Sequence, residues 1–237
     1  MKKMLPVVII AGGLATRLRP LTTTIPKSLI DINGEPFVTH QLRLLQQQGI
    51  TEVVMCLGFL GEQIVDVVGD GSYFGMDITY VFDGEKLLGT AGAIKRALPH
   101  LDDMFFVLNG DSYLPCDYFA VQQAFLNSGK TAQMTVFRNE GKWDTSNVEF
   151  GDGQIITYDK INRTPRMLHI DYGLEIFTKK AFANVPENEP YDLVPVYQAL
   201  INKQQLAAYE VFERFYENGS FTGITELCEY LHTVIAV

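Results

Sequence analysis

Cysteine is scarce in this chain. Its 237 residues hold three, Cys56, Cys116 and Cys228, widely separated and odd in number. A disulfide scaffold and a cysteine-based metal site are therefore excluded, because both need closely spaced or paired thiols. The scarcity fits a reduced, cytoplasmic setting. Histidine is equally thin: His40, His100, His169 and His232 are scattered and form no zinc set. Positive charge is short too, with 19 Lys and Arg against 28 Asp and Glu and a net charge of −9. That excludes a general nucleic-acid binder, whose phosphate contacts need a basic face. No apolar run approaches the roughly 18 residues needed to span a membrane, so no membrane partner is expected. The opening Lys2-Lys3 and the apolar stretch after them imitate a secretory signal. The apolar core is interrupted by Pro6 and followed by Arg17 and Arg19, and it falls short of the roughly 7–15 residues such a signal uses.

Two familiar phosphate-binding strings are also missing. G-x-x-x-x-G-K-[ST] does not occur, since Lys27 lies far beyond Gly13 with no glycine before it. G-x-G-x-x-G does not occur either, which removes the case for an NAD-linked dehydrogenase. In their place stands Ile9-Ile10-Ala11-Gly12-Gly13-Leu14-Ala15-Thr16-Arg17-Leu18-Arg19-Pro20-Leu21-Thr22, continued by Ile25-Pro26-Lys27-Ser28. The apolar run Leu5 to Ile10 reads as a buried strand that breaks into paired glycines and a basic loop. Glycines there let the backbone turn sharply and approach a ligand with its N–H groups outward. Arg17 offers a planar fork for phosphate oxygens and Lys27 a mobile point charge. The string describes a polyphosphate cradle at the carboxyl end of a first strand, where open α/β sheets bind nucleotides.

Strand and helix signals alternate through the first half. Strands are expected at Val53 to Leu57, Ile78 to Phe82 and Phe105 to Leu108. Helices are expected from Phe37 to Gly49, Glu62 to Val68, and Ala91 to Leu98 before Pro99. This order implies a Rossmann-like α/β fold: a mainly parallel, mixed sheet flanked by helices. From about Thr131 the texture turns β-rich, with strands expected at Gln133 to Phe137, Asn147 to Phe150, Gln154 to Tyr158 and Leu168 to Phe177. Helices return at Leu193 to Asn202 and Ser220 to Leu231. No repeat, low-complexity tract or linker interrupts the chain. A single domain over 1–237 is expected, with a nucleotide-binding half (1–130) and a β-rich half (131–237) that, by the resemblance described below, would bind the sugar phosphate.

Asn109-Gly110-Asp111 follows directly on a buried strand. The glycine permits a tight exit, and Asp111 at the strand's end suits Mg²⁺, a hard cation that takes oxygen ligands. A plain Asx turn explains the same three residues. In Leu88-Gly89-Thr90-Ala91-Gly92-Ala93 the N–H groups and small side chains of Gly89 and Thr90 would let a flat base lie against the backbone. Helix initiation with a small packing surface is the other reading.

The spacing G-G-x-[AG]-T-R-L-x-P-L-T-x-x-x-P-K closely resembles the signature of the sugar-1-phosphate nucleotidyltransferases. The resemblance extends from Val7 to about Leu231 and is loosest between Arg138 and Asp171. It implies transfer of a nucleoside monophosphate from a nucleoside triphosphate to a sugar 1-phosphate, with release of pyrophosphate and dependence on Mg²⁺. It assigns catalysis to Arg17, Lys27, Asp111 and Lys160. It assigns nucleotide contacts to Ala11, Gly12, Gly13, Leu14, Ala15, Thr16, Gly89, Thr90 and Asn109. Tyr158-Asp159-Lys160 stands for the family's E-K motif, with Lys160 on the sugar phosphate. His169-Ile170-Asp171-Tyr172-Gly173-Leu174 stands for the sugar-holding N-x-G strand, giving Asp171 and Gly173, and Asn147 is carried over from the preceding stretch. Phe215-Tyr216-Glu217-Asn218-Gly219-Ser220 matches a W-x-D-x-G-[TS] motif, so that Glu217 joins Asp111 as a metal ligand. Glu217 and Asp159 each differ by one methylene from the usual residue, and Asp171 replaces Asn. Ser220 reads equally as an ordinary helix N-cap.

At this length the likeness is to short bacterial guanylyltransferases acting on heptose or mannose 1-phosphate, and to N-acetylmuramate 1-phosphate uridylyltransferases. It does not extend to relatives with a left-handed β-helix. GTP is the favoured nucleotide. Two other readings stay open: a phosphocholine cytidylyltransferase, with Tyr158, Tyr172, Asp159 and Asp171 around the choline, and a silent subunit that senses nucleotide sugars. Assembly with further copies of itself is also left open.

Overall fold

Four apolar strands, parallel and side by side, organise the computed structural model, which describes residues 3–235. The strands in chain order are β1 (Val7–Ala11), β2 (Asp31–Ile32), β3 (Glu35–Pro36), β4 (Glu52–Leu57), β5 (Asp77–Phe82), β6 (Met104–Asn109), β7 (Ser112–Tyr113), β8 (Ala132–Arg138), β9 (Val148–Gly151), β10 (Gln154–Tyr158), β11 (His169–Thr178), β12 (Leu206–Val211) and β13 (Tyr216–Glu217). The helices are α1 (Phe37–Gln47), α2 (Gly61–Val68), α3 (Gly89–Ala97), α4 (Tyr118–Ser128), α5 (Leu193–Asn202) and α6 (Phe221–Ile235).

The parallel strands run β5-β4-β1-β6. The chain builds outward from β1 through β4 to β5 and then returns to the other side of β1 with β6. The order therefore reverses between β1 and β6, and a crevice opens beyond their carboxyl ends. Both faces of β1 are covered, which is why it reads as a continuous apolar run. Val7 and Ile9 pack with Leu42 and Leu45 of α1, Ile64 of α2, and Val121 and Phe125 of α4. Val8 packs on the opposite side with Ile94 of α3 and Leu200 of α5.

The β-rich half continues the same sheet. The ten-residue β11 runs antiparallel to β6 through Leu174↔Leu108 and antiparallel to β8 on its other edge. The β9–β10 hairpin turns at Asp152 and Gly153, both with positive φ. The sequence expectations for the principal strands and helices are met within a few residues. Outside them lay the two-residue strands β2, β3, β7 and β13 and two longer elements, α4 and β12. α4 carries the start and stop signals of a helix, with the Asp117 carboxylate accepting from Ala120 N–H and Gly129 at φ 63° closing it. Its apolar stripe is blurred, since Phe119 and Leu126 are exposed while Gln122 is buried. The strand β12 is half-buried along most of its length and earns its place by pairing in parallel with β8.

Candidate active site

The loop after β1 is held from below before it can hold anything above. Leu18 is fully buried among Ile30, Ile32, Phe37 and Leu227. The Thr22 hydroxyl donates to Ala15 C=O at 2.7 Å, and Ala15 takes a left-handed φ of 47°. The leucine and threonine of the sequence signature are thus anchors, and Arg17, just ahead of Leu18, is left exposed. Neither Gly12 nor Gly13 has a positive φ, so the paired glycines answer to space. A methyl group at Gly12 would lie 3.2 Å from both Asp83 Oδ2 and Gly58 N. At Gly13 it would meet nothing within 4 Å, and Gly13 borders the crevice.

The turn after β6 is clamped on three sides. Gln41 of α1 donates from its amide to Asn109 C=O at 2.9 Å and to Ser112 C=O at 2.7 Å. Ser28 Oγ donates to Gly110 C=O at 2.9 Å. Asn218, fully buried, donates from its side chain to Lys27 C=O at 2.9 Å and from its backbone to Asp111 C=O at 3.0 Å. Gly110 is required because a Cβ there would lie 2.7 Å from the Ala11 Cβ. These ties bring Lys27 and Asp111, 84 residues apart, to an Nζ–Oδ2 distance of 2.5 Å.

Two cavities flank that ion pair and share Asn109 and Asp111 on their walls. The first, about 350 Å³, is bordered by Ala11, Gly12, Gly13, Lys27, Ser28, Asp83, Leu87, Gly89, Thr90, Gly110 and Asp192, among others. The second, about 390 Å³, is bordered by Arg17, Ser112, Asp144, Thr145, Asn147, Lys160, Arg163, Asp171, Tyr172, Gly173, Phe215 and Glu217, among others. Most expected site residues thus surround one bipartite cleft. Leu14, Ala15 and Thr16 lie in the loop between its two groups of lining residues and border neither cavity. Asp159 is turned to its own loop, where its carboxylate accepts from the N–H groups of Asn162 and Ile161. Those bonds, Asn162's foremost, draw its pKa below the usual value.

Thr90 borders the first cavity, but its hydroxyl accepts from Leu193 N–H at 2.8 Å, at the start of α5. The N–H groups of Ala91 and Gly92 both point at Tyr191 C=O, so the turn's exposed backbone is confined to its first residues. In the second cavity Asn147 Oδ1 accepts from Asp171 N–H at 2.9 Å, and Asp171 Oδ2 accepts from the Tyr158 hydroxyl at 3.2 Å. Tyr158 and Tyr172 are each 2% exposed, so the aromatic pair envisaged around a choline is packed into the interior. Arg17, Lys160 and Arg163 have no carboxylate within 4.0 Å among the described residues.

Pairing of β13 with β7 sets Glu217 opposite Ser112, next to Asp111. Glu217 Oε2 accepts from Gly219 N–H and Oε1 from Ser220 Oγ, each at 2.5 Å, while Ser220 Oγ accepts from Gly223 N–H at 2.9 Å. Ser220 is therefore the N-cap of α6, and Glu217 braces it. A methyl group at Gly219 would lie 2.7 Å from Glu217 Oε2, 3.1 Å from Asp111 Oδ2 and 3.3 Å from Arg17 Nη2. Two acids and a guanidinium thus converge on one point. The donor set suits Mg²⁺, which takes one or two carboxylates and completes its shell with substrate phosphates and water. No cluster of three or more His, Cys, Asp or Glu with metal-binding geometry occurs among the described residues.

Sequence reasoning missed Asp83, Gln41, Asn218 and Arg163. Asp83 is 6% exposed; its Oδ2 accepts from Leu88 N–H at 3.1 Å, and burial raises its pKa. A signal was present for Gln41, a polar residue inside the apolar stripe of α1. Another was present for Asn218, next to a motif acid. Asp83 and Arg163 carried none.

A family model described as nucleotidyl transferase matches residues 6–158. The N-acetylmuramate alpha-1-phosphate uridylyltransferase of Neisseria meningitidis is 44% identical over 116 residues, 48% of this chain and 50% of that protein. The D-glycero-alpha-D-manno-heptose 1-phosphate guanylyltransferase of Campylobacter jejuni is 29% identical over 96% of this chain and 98% of that one. This chain thus spans about half the length of the Neisseria relative and nearly all of the Campylobacter one. Among solved structures, HddC from Yersinia pseudotuberculosis, crystallised with GMP-PN, superposes with a TM-score of 0.81 at 25% identity, covering 96% of this chain and 100% of that one. With the glycine-arginine loop, the strand-order reversal and the Lys27–Asp111 pair already in place, the match settles the family: this chain belongs to the nucleotidyl transferases.

Proposed function

We propose that this protein transfers a nucleoside monophosphate from a nucleoside triphosphate to a sugar 1-phosphate and releases pyrophosphate. One observation carries the reading: two cavities of substrate size meet at Asp111, one walled by backbone and small residues, the other by charged side chains. A flat base and ribose suit the first. A hydroxyl-rich anion suits the second.

The reaction needs no protein nucleophile. An oxygen of the sugar phosphate attacks the α-phosphorus, the bond to the bridging oxygen breaks, and the electron pair leaves with pyrophosphate. Catalysis then consists of alignment and charge neutralisation. Arg17 grips the outgoing β- and γ-phosphates. Lys27 sits at the junction of the cavities, where the α-phosphate lies. Lys160, with no carboxylate within 4.0 Å among the described residues, holds the attacking phosphate against its repulsion by the triphosphate. Asp111 and Glu217 would hold Mg²⁺, which when bound offsets the charge of the triphosphate oxygens.

GTP is the preferred donor in this reading, and Asp83 supports it. A buried carboxylate beside the base pocket can accept from both N1–H and the 2-amino group of guanine. Uracil and thymine offer one N–H between two carbonyl oxygens, which a carboxylate repels. Asp83→Asn is expected to cut the preference for GTP over UTP about tenfold, by roughly 1.4 kcal/mol, read as the ratio of kcat/KM values.

The reaction itself is tested by pyrophosphate release with Mg²⁺. Each nucleoside triphosphate is paired with mannose, heptose, glucose and N-acetylmuramate 1-phosphates and with phosphocholine. Release with GTP and a sugar phosphate is the expected result. Release with phosphocholine and CTP alone would replace the acceptor. Silence throughout, with tight binding of a nucleotide sugar, would make the protein a sensor.

A further inference from the structure

A buried acid behind the second cavity has no part in the mechanism above. Glu175 lies four residues beyond Asp171 on β11 and is 4% exposed. The β8–β11 ladder breaks register between these two residues. Gly173 lies between them at φ +93°, a conformation that costs a residue with a side chain. The shift sets Asp171 opposite Val136 and Glu175 opposite Met134, two residues apart on β8, so the two acids come to lie side by side on β11, with Tyr197 of α5 next to Glu175. Asp171 also accepts from the Tyr158 hydroxyl and from Gly173 N–H, each at 3.2 Å. The rings of Tyr158 and Tyr197 meet edge to face at 5.2 Å, closing the cluster off. Lys160 is the cation that faces it.

Two ionised carboxylates in so dry a contact repel each other strongly. Burial, then the charge of Asp171, holds Glu175 well above the usual carboxylate range. Tyr158 and Tyr197 are likewise raised, chiefly by burial, and remain phenols able to donate.

We propose that Glu175 is a positioning residue: as a neutral acid it donates a hydrogen bond to Asp171, fixing that carboxylate on the cavity wall and leaving a single negative charge beside Lys160. The inference rests on the proposed reaction and extends it to the acceptor. With its orientation set by Glu175, Tyr158 and Gly173, Asp171 can only accept. The acceptor substrate must therefore bring a hydroxyl or other donor to that point. A second negative charge would draw Lys160 inward, away from the substrate phosphate.

The test compares Glu175→Gln, which keeps a neutral donor, with Glu175→Leu, which has none. Infrared difference spectra of wild type against Glu175→Gln at neutral pH are expected to show a protonated-carboxyl band in the wild type. Glu175→Gln is expected to keep the KM for sugar phosphate within about twofold, since one hydrogen bond replaces another. Glu175→Leu is expected to raise it about 10- to 100-fold with little change for the triphosphate, the loss of a hydrogen bond to a charged group. Wild type should lose sugar-phosphate affinity as the medium turns alkaline, and Glu175→Gln should not. A carboxylate band in place of the carboxyl band, or equal loss in both variants, overturns the proposal. If Glu175→Leu does not fold, the band and the pH profile of Glu175→Gln decide. If no substrate pair releases pyrophosphate, the reaction reading fails, while the band still reports the state of Glu175.

Discussion

The two cavities are built on opposite plans. The first is walled largely by strand ends, backbone and small residues, with Gly12, Gly13, Gly89 and Gly110 around it. The second is walled by Arg17, Asp144, Asn147, Lys160, Arg163, Asp171 and Glu217, which come from well-separated stretches of chain. A pocket of backbone and small residues suits what is constant in the proposed donor, a flat base and its ribose. A side-chain-lined pocket can be retuned one residue at a time, so the identity of the acceptor belongs there. Asp111, on both walls, is the point at which the plans must agree.

The sharpest way to break that comparison is to remove the ion pair where the cavities meet. Asp111→Asn and Lys27→Ala are each expected to lower turnover by at least about 10²–10³-fold with an unchanged melting temperature. Near-normal pyrophosphate release from either would sink its assigned role. Next come two glycines that look alike in sequence and differ in purpose. Gly110→Ala forces a methyl group onto Ala11 and is expected to cost about 1–3 kcal/mol of stability, measured by denaturant unfolding. Gly13→Ala meets no protein atom, so stability should hold within about 0.5 kcal/mol while the KM for the triphosphate rises. The opposite pattern would reverse the assignment of protein space and ligand space.

A smaller effect separates the cavities. Asn147→Ala removes the acceptor of Asp171 N–H and is expected to raise the KM for sugar phosphate about tenfold, near 1.4 kcal/mol, leaving the triphosphate KM unchanged. The smallest effect is expected at Asp159, which is exposed and bonds its own loop. Asp159→Ala should change kcat/KM less than about threefold, in keeping with exposed groups generally. A larger loss would place its carboxylate in the cavity with substrate bound.

Legibility followed the same division. The loop from Ala11 to Lys27 was readable because its residues are near neighbours in the chain and its anchors, Leu18 and Thr22, serve the same turn. The β1, β4 and β6 runs were readable because burial on both faces leaves an uninterrupted apolar string, and the edge strand β5 was readable from its β-branched and aromatic residues. The helix α4 was not, because Phe119 and Leu126 break its stripe. Gln41 and Asn218 were missed because their work is done on carbonyl groups far away in sequence, and a polar side chain does not announce its partner. Glu217 carried both of its readings into the structure, as brace of the Ser220 cap and as neighbour of Asp111.

The amino-acid order alone determined the alternation of strand and helix, the glycine-rich, basic character of the first loop and the family to which it points. These rest on periodicity and short-range geometry, which are local. Only the tertiary structure decided that Lys27 meets Asp111, that Asp83 borders the first cavity, and that a register shift brings Glu175 beside Asp171. Those facts depend on strand register and helix packing, which bring distant residues to contact distance and remove the water that would otherwise screen them.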